Sequence, residues 1–195
     1  MSKKLIMIRH GESAGNAGLA TTDHRTIPLT DKGKMQAEKL AKVWNDEPDY
    51  ILMSPFKRAR DTAQPTIERF PNARLKVMDD LREFTYLAPA TCVGTTQEDR
   101  RARVDAYWAA LDPCYVDGEG AESFNDLTER TRRFLDDMRS MPDGCTVFAF
   151  SHMMCIASIR MWLERPNLAS DLRERMKIFR TYPFISNAEH ISFVI

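Results

Sequence analysis

Short apolar runs alternate along the chain with longer stretches whose apolar positions recur at helical spacing. The first run, Lys4 to Ile8, stops at Arg9-His10-Gly11, and a polar loop rich in Gly and Thr follows to Leu29. Thr30 then stands where a helix N-cap belongs, because Ala37, Leu40, Ala41 and Trp44 repeat at i, i+3, i+4 and i+7. A second run, Tyr50 to Met53, stops at Ser54-Pro55. Phe56 to Phe70 reads as a helix, with Pro65 inside it predicting a kink or a late first turn. Leu75 to Met78 is a weaker strand candidate.

From Arg82 to Gly120 the pattern is least regular, with Thr, Pro and Gly at both ends and a helical stretch from Glu98 to Leu111. We read this segment as an insertion over the domain face. Ser123-x-x-Asp126 has the form of a capping box, and Phe124, Leu127, Phe134, Leu135 and Met138 mark the buried face of the helix behind it. Thr146 to Phe150 is an unbroken run that predicts a strand buried on both sides, and it stops at Ser151-His152. A mostly apolar helix from Met153 to Leu163 follows, Pro166 ends it, and Ile191 to Ile195 supplies a last strand. This alternation predicts an α/β fold, a three-layer α/β/α sandwich around a mostly parallel central sheet.

The 195 residues, 43% hydrophobic and 29% charged, suit one soluble globular domain spanning residues 1–195. The N-terminal apolar run is too short for a secretory signal, and no segment approaches the ~20 apolar residues of a membrane span. Cys92, Cys114, Cys145 and Cys155 show no zinc-like or C-x-x-C spacing and read as reduced thiols, so a cytoplasmic location is expected. Lys plus Arg equal Asp plus Glu at 28 each, which leaves no long-range field to attract nucleic acid or an anionic membrane. An anionic ligand must be held by a few basic residues gathered locally.

In open α/β sheets ligands bind beyond the carboxyl ends of the strands. Arg9 and His10 follow the first run, Ser54 and then Arg58 follow the second, and Ser151 and His152 follow the Thr146 run. Two arginines and two imidazoles around one point suit a tetrahedral phosphoryl group. Neutral imidazole is also a nucleophile able to carry that group covalently.

The motif Arg9-His10-Gly11-Glu12-Ser13 with Asn16 resembles the signature of the histidine phosphatase superfamily, the phosphoglycerate mutase-like proteins. The resemblance continues through Leu29-Thr30-x-x-Gly33-x-x-Gln36-Ala37, Ser54-Pro55-x-x-Arg58-Ala59-x-x-Thr62-Ala63, Leu81-x-Glu83, Gly120-x-Glu122-Ser123-Phe124, Ser151-His152 and Asn187, over nearly the whole chain. It implies a phosphoglycerate mutase-like fold and a metal-independent reaction without a cofactor, in which His10 attacks phosphorus and forms a phosphohistidine. It further implies Arg9, Asn16, Arg58, His152 and the Met153 backbone as phosphoryl ligands, and Glu83 as the acid and then the base.

Two stretches depart from the family pattern. Glu83 is followed by Phe84-Thr85-Tyr86-Leu87-Ala88-Pro89 where mutase-type members carry a Gly- and Trp-containing stretch, and Met153-Met154 stand where glycines are common. Hydrolysis of a small phosphorylated substrate, a phosphate monoester or phosphohistidine, is therefore expected before a mutase-type transfer or a non-catalytic phosphoryl-binding role. Asp79, Asp80 and Glu122 compete with Glu83 as the acid by proximity in sequence. Arg58 could instead pair with Asp61, while His24 and His190 read as surface or structural residues. Arg100, Arg101 and Arg103 read as a solvated helix face. Tyr86, Tyr107 and Trp108 either line a cavity under the insertion or pack its helix, and Cys155 reads as a small core residue.

Overall fold

A computed structural model describes residues 2–168 and 171–195. In chain order the elements are β1 (Lys4–Arg9), α1 (Asp31–Val43), β2 (Tyr50–Met53), α2 (Lys57–Arg69), β3 (Arg74–Val77), α3 (Arg101–Ala110), α4 (Phe124–Ser140), β4 (Thr146–Ser151), α5 (Met153–Glu164), α6 (Leu172–Arg180) and β5 (His190–Val194). The strands form one sheet in the order β3-β2-β4-β1-β5, parallel except for β5, which runs antiparallel to β1.

Strand side chains alternate between faces, and the sequence uses both faces for apolar groups. On one side Leu5, Met7, Leu52, Val147 and Ala149 pack with Phe134, Leu135 and Met138 of α4 and Ile156 and Ile159 of α5. On the other, Ile6, Ile8, Ile51, Met53, Phe148 and Phe150 pack with Leu40 of α1, Trp44 just beyond it and Ala63 of α2. Each fully buried Leu, Ile or Phe stabilises the sandwich by about 1.5–3 kcal/mol. A third apolar cluster brings Phe84, Tyr107 and Trp108 against Phe124, Met161, Met176 and Phe179, so Tyr107 and Trp108 pack the core under the inserted segment.

The caps agree with the sequence. The Thr30 hydroxyl accepts from Gly33 N–H, and Ser123 with Asp126 forms a reciprocal capping box. Three expectations shift. Helix α2 starts at Lys57 and continues unbroken past Pro65, with no late first turn, and Ala63 and Ile67 beside the proline pack into the core. The weak third strand begins at Arg74 and lies exposed at the sheet edge. The helix expected from Glu98 forms only from Arg101 and ends at Leu111, which turns left-handed at φ 48°.

Helix α6 adds an element to the predicted pattern: Asp171 caps it, and Leu172, Met176 and Phe179 mark its apolar face at i, i+4 and i+7. It buries Arg175, whose guanidinium stacks 3.8 Å over Trp162.

The connection after β1 comes unusually close to α1. A Cβ on Gly33 would lie 2.0 Å from the Glu12 carbonyl oxygen, and one on Gly11 would lie 2.5 Å from that of Gly33. Backbone cannot yield as a flexible side chain does. Gly33→Ala is expected to destabilise the protein by about 3 kcal/mol through this overpacking, whereas Gly15→Ala, meeting Ile27 at 3.7 Å and Ser13 Oγ at 3.9 Å in ordinary contact, should cost under about 1 kcal/mol. Denaturant melts of the two variants compare these losses directly.

Candidate active site

Strands β1 and β4 are neighbours, yet β1 leads into α1 on one face of the sheet and β4 into α5 on the other. Helices leaving to opposite faces open a crevice at the carboxyl ends of the pair. Arg9 is paired with Ser151, and His10 N–H still donates to Ser151 O at 3.0 Å. The residues that follow, His10 and His152, therefore stand side by side with ring centroids 5.0 Å apart.

His10 is held in one tautomer. Its Nδ1–H donates to Gly11 O at 2.7 Å, so Nε2 presents a lone pair, which accepts from Arg58 Nε at 3.2 Å. Arg58 reaches this position from the first turn of α2, with a second nitrogen donating to His24 O at 2.8 Å. Asp61 pairs with Lys57 and not with Arg58. Arg9 donates through Nη1 to Ile185 O at 2.7 Å, while its buried Nε has no partner among the described residues.

Burial lowers the affinity of both histidines for protons, and Arg58 adds to the effect, so both titrate well below their usual range. Burial also brings Arg58 down to about 10, which leaves it a cation at neutral pH.

Arg9, His10 and Arg58 border a cavity of about 440 Å³ that also takes in Asn16, Glu83 and Met153. Asn16 is fixed through Oδ1, which accepts from Ser13 and from Asn187 Nδ2. Asn187 also donates to His10 O at 3.0 Å, a bracing role that the sequence motif alone did not define. His152 is fully buried, with Nε2 2.8 Å from Ser54 Oγ; it is not among the residues that line the cavity, and its Nδ1 has no hydrogen-bond partner among the described residues.

Among the competing carboxylates Glu83 lines the cavity, and Asp79, Asp80 and Glu122 do not. Asp79 and Asp80 pair with Arg82 and Arg133, and Glu122 with Arg82 and Arg130. Glu83 Oε1 accepts from Phe84 N–H at 2.9 Å and, at the start of α5, from Met154 and Cys155 N–H at 3.2 and 3.3 Å. Burial raises the pKa of Glu83 above the ordinary carboxyl value, against the lowering effect of the Phe84 N–H, Arg58, Arg9 and Arg130. With Oε1 committed to accepting, a proton on this carboxyl belongs on Oε2.

The outer part of the cavity corrects two further expectations. His24 lines it, with its ring edge-on to Phe56 at 5.3 Å. Arg100 and Arg101 also line it. Of the three arginines read as a solvated face, Arg101 pairs with Glu98 and Arg103 with Asp117. Arg100 has no ion pair among the described residues and is pinned through Nη1 to Thr95 O and Oγ1, both at 2.7 Å. Tyr86 stands on the cavity wall, as one of its two expected readings had it.

A sequence profile described as histidine phosphatase superfamily (branch 1) matches residues 5–178. The chain is 29% identical over 154 residues to an adenosylcobalamin/alpha-ribazole phosphatase of Salmonella typhi, covering 76% of this chain and 73% of that one. It is 28% identical over 160 residues to phosphoglycerate mutase-like protein 4 of Arabidopsis thaliana, covering 80% and 69%. Among solved structures, a mycobacterial glucosyl-3-phosphoglycerate phosphatase superposes with a TM-score of 0.76 at 23% identity, covering all of this chain and 91% of that one, a likeness of fold.

The buried neutral histidines fix a pH dependence of stability. An exposed histidine in the unfolded chain takes up a proton near pH 6.5, whereas His10 and His152 resist it when folded. Stability should therefore fall as pH drops from 7 to 5. Glu83, with its raised pKa, works in the opposite sense, its contribution being present at low pH and lost as pH rises. His10→Ala keeps Glu83 and removes one histidine, so it should lessen the drop by about 1–2 kcal/mol. Urea melts of both proteins at the two pH values provide the comparison, and equal drops would contradict the assignment.

Proposed function

We propose that this chain, which belongs to the histidine phosphatase superfamily, hydrolyses a small phosphate monoester, or a phosphohistidine, through a covalent intermediate on His10. The observation that carries this reading is the His10 ring itself, with its Nδ1 proton tied to Gly11 O and its Nε2 lone pair directed at Arg58 beside the Glu83 carboxyl.

In the first half-reaction Nε2 attacks phosphorus in line as the bond to the leaving oxygen breaks, and Glu83 Oε2 gives that oxygen its proton. Arg58 exchanges its contact with Nε2 for one with a phosphoryl oxygen. Arg9 and Asn16 add donors to the equatorial oxygens, where charge is stabilised during transfer. His152, whose buried Nδ1 has no hydrogen-bond partner among the described residues, and the Met153 backbone at the start of α5 complete the phosphoryl ligands. In the second half-reaction ionised Glu83 takes a proton from water, which attacks the phosphohistidine and releases phosphate. The chain supplies every group in these steps, so the reading calls for no metal and no cofactor.

The chemistry needs opposite protonation states of Glu83 in the two halves. A raised pKa brings the two states closer in energy near neutral pH than an ordinary carboxyl would. The expected location is cytoplasmic. No helix among the described residues is long and apolar enough to cross a membrane.

Rapid quenching with a labelled phosphate ester should trap acid-labile, base-stable label on His10, and absence of that label under turnover would count against the nucleophile. His10→Ala should lower hydrolysis by at least about 10³-fold while the far-UV spectrum stays native. Following 3-phosphoglycerate and phosphate in one reaction separates hydrolysis from transfer, because isomerisation without phosphate release would indicate the mutase reaction.

A further inference from the structure

Glu83 sits on a segment between Leu81 and Pro89 that has neither helix nor strand to fix its backbone. An acid that must meet a leaving oxygen within hydrogen-bonding distance needs a substitute for that scaffold. Glu122, at the entrance to α4 and only 6% exposed, provides one. Its Oε1 accepts from Thr85 N–H at 3.1 Å and from Arg130 Nη2 at 2.9 Å. Its Oε2 accepts from Arg82 Nη2 and Arg130 Nε, both at 2.9 Å. The Glu122 N–H in turn donates to Thr85 O at 2.9 Å. One carboxylate thus holds the residue before Glu83 and the residue two positions after it.

The clamp extends to the other side of the acid. Arg130 Nη1 donates to Asp80 O at 2.7 Å and lies 3.6 Å from Cys155 Sγ. Cys155 N–H is one of the donors on Glu83 Oε1. Glu122 and Arg130 therefore connect the segment that carries Glu83 with the helix end that orients its carboxyl.

We propose that Glu122, held by Arg130, is the positioning residue for the acid Glu83, grasping Arg82 and Thr85 so that Oε2 faces the scissile oxygen. Glu122 itself is not among the residues that line the cavity. The inference rests on the reading of Glu83 as the acid. Its signature is selectivity for the leaving group, since a misplaced acid slows departure of a poor leaving group and matters little to one that leaves without a proton.

The experiment compares alcohol release in the first turnover from benzyl phosphate and from 2,4-dinitrophenyl phosphate, in wild type, Glu83→Gln, Glu122→Gln, Glu122→Asp and Arg82→Met. Glu122→Gln should slow benzyl phosphate by about 30-fold and the dinitrophenyl ester by less than threefold, following the pattern of Glu83→Gln in weaker form. Glu122→Asp should restore part of the benzyl phosphate rate. The high-pH limb of the benzyl phosphate profile should also move in Glu122→Gln.

Arg82→Met leaves the Glu122–Arg130 pair in place and gives the same selectivity at about three- to fivefold, which keeps the test available if Glu122→Gln does not fold. Equal losses on both esters in the Glu122 and Arg82 variants, with Glu83→Gln still selective, would overturn the positioning role alone. Equal losses in Glu83→Gln, or cleavage of neither ester by wild type, would remove the acid assignment and this inference with it.

Discussion

The parallel pairing of β1 with β4 is the constraint on which the rest of the site depends. It ends at Arg9 against Ser151, and from that register the two histidines fall next to each other with no further device. A slip by one residue would turn each side chain to the opposite face of the sheet. The alternation of Leu5 and Met7 with Ile6 and Ile8, and of Val147 and Ala149 with Phe148 and Phe150, prevents it by filling two separate cores. The same hydrophobic pattern that builds the sandwich thus fixes the position of His10.

Electrostatics at the crevice depend on burial as much as on charge. Arg9 and Arg58 stand beside imidazoles that have been removed from water, and an imidazolium there would meet both desolvation and like charge. The histidines therefore remain neutral. Glu83 is subject to opposed influences, with burial raising its pKa and nearby donors and cations lowering it. A balanced net charge for the chain gives no hint of this arrangement, because the field that matters extends over a few ångströms and is set by which side chains share one desolvated space.

What could be read from the sequence was whatever local periodicity and motif spacing encode. The end of β2 at Met53, the ends of β1 and β4 to within one residue, the capping residues Thr30 and Ser123, and the approach of His10 and Arg58 to one cavity belong here, whereas Glu83 on that cavity was implied by the family resemblance alone. Side-chain partners across long separations were not legible. His24 and Arg100 line the cavity because of how the 14–27 loop folds, with Thr21 bonded to Thr95 and Gly94, and nothing near either residue in sequence announces that contact. His152 stands beside His10 as the strand ends predict, but spacing does not reveal the contact of its ring with Ser54. Helix α6 was obscured by its shortness and by Pro166, although its apolar spacing was present.

The contact between Arg58 Nε and His10 Nε2 also bears on which molecules can react here at all. In the resting protein the lone pair that would act as nucleophile is already engaged by a guanidinium. An incoming molecule frees it only by offering that guanidinium a stronger acceptor, which an anion carries and an uncharged alkylating or acylating agent lacks. On the proposed reading the reactive nitrogen is guarded by the residue that would recognise the substrate, and exposure of the nucleophile would be coupled to the arrival of negative charge.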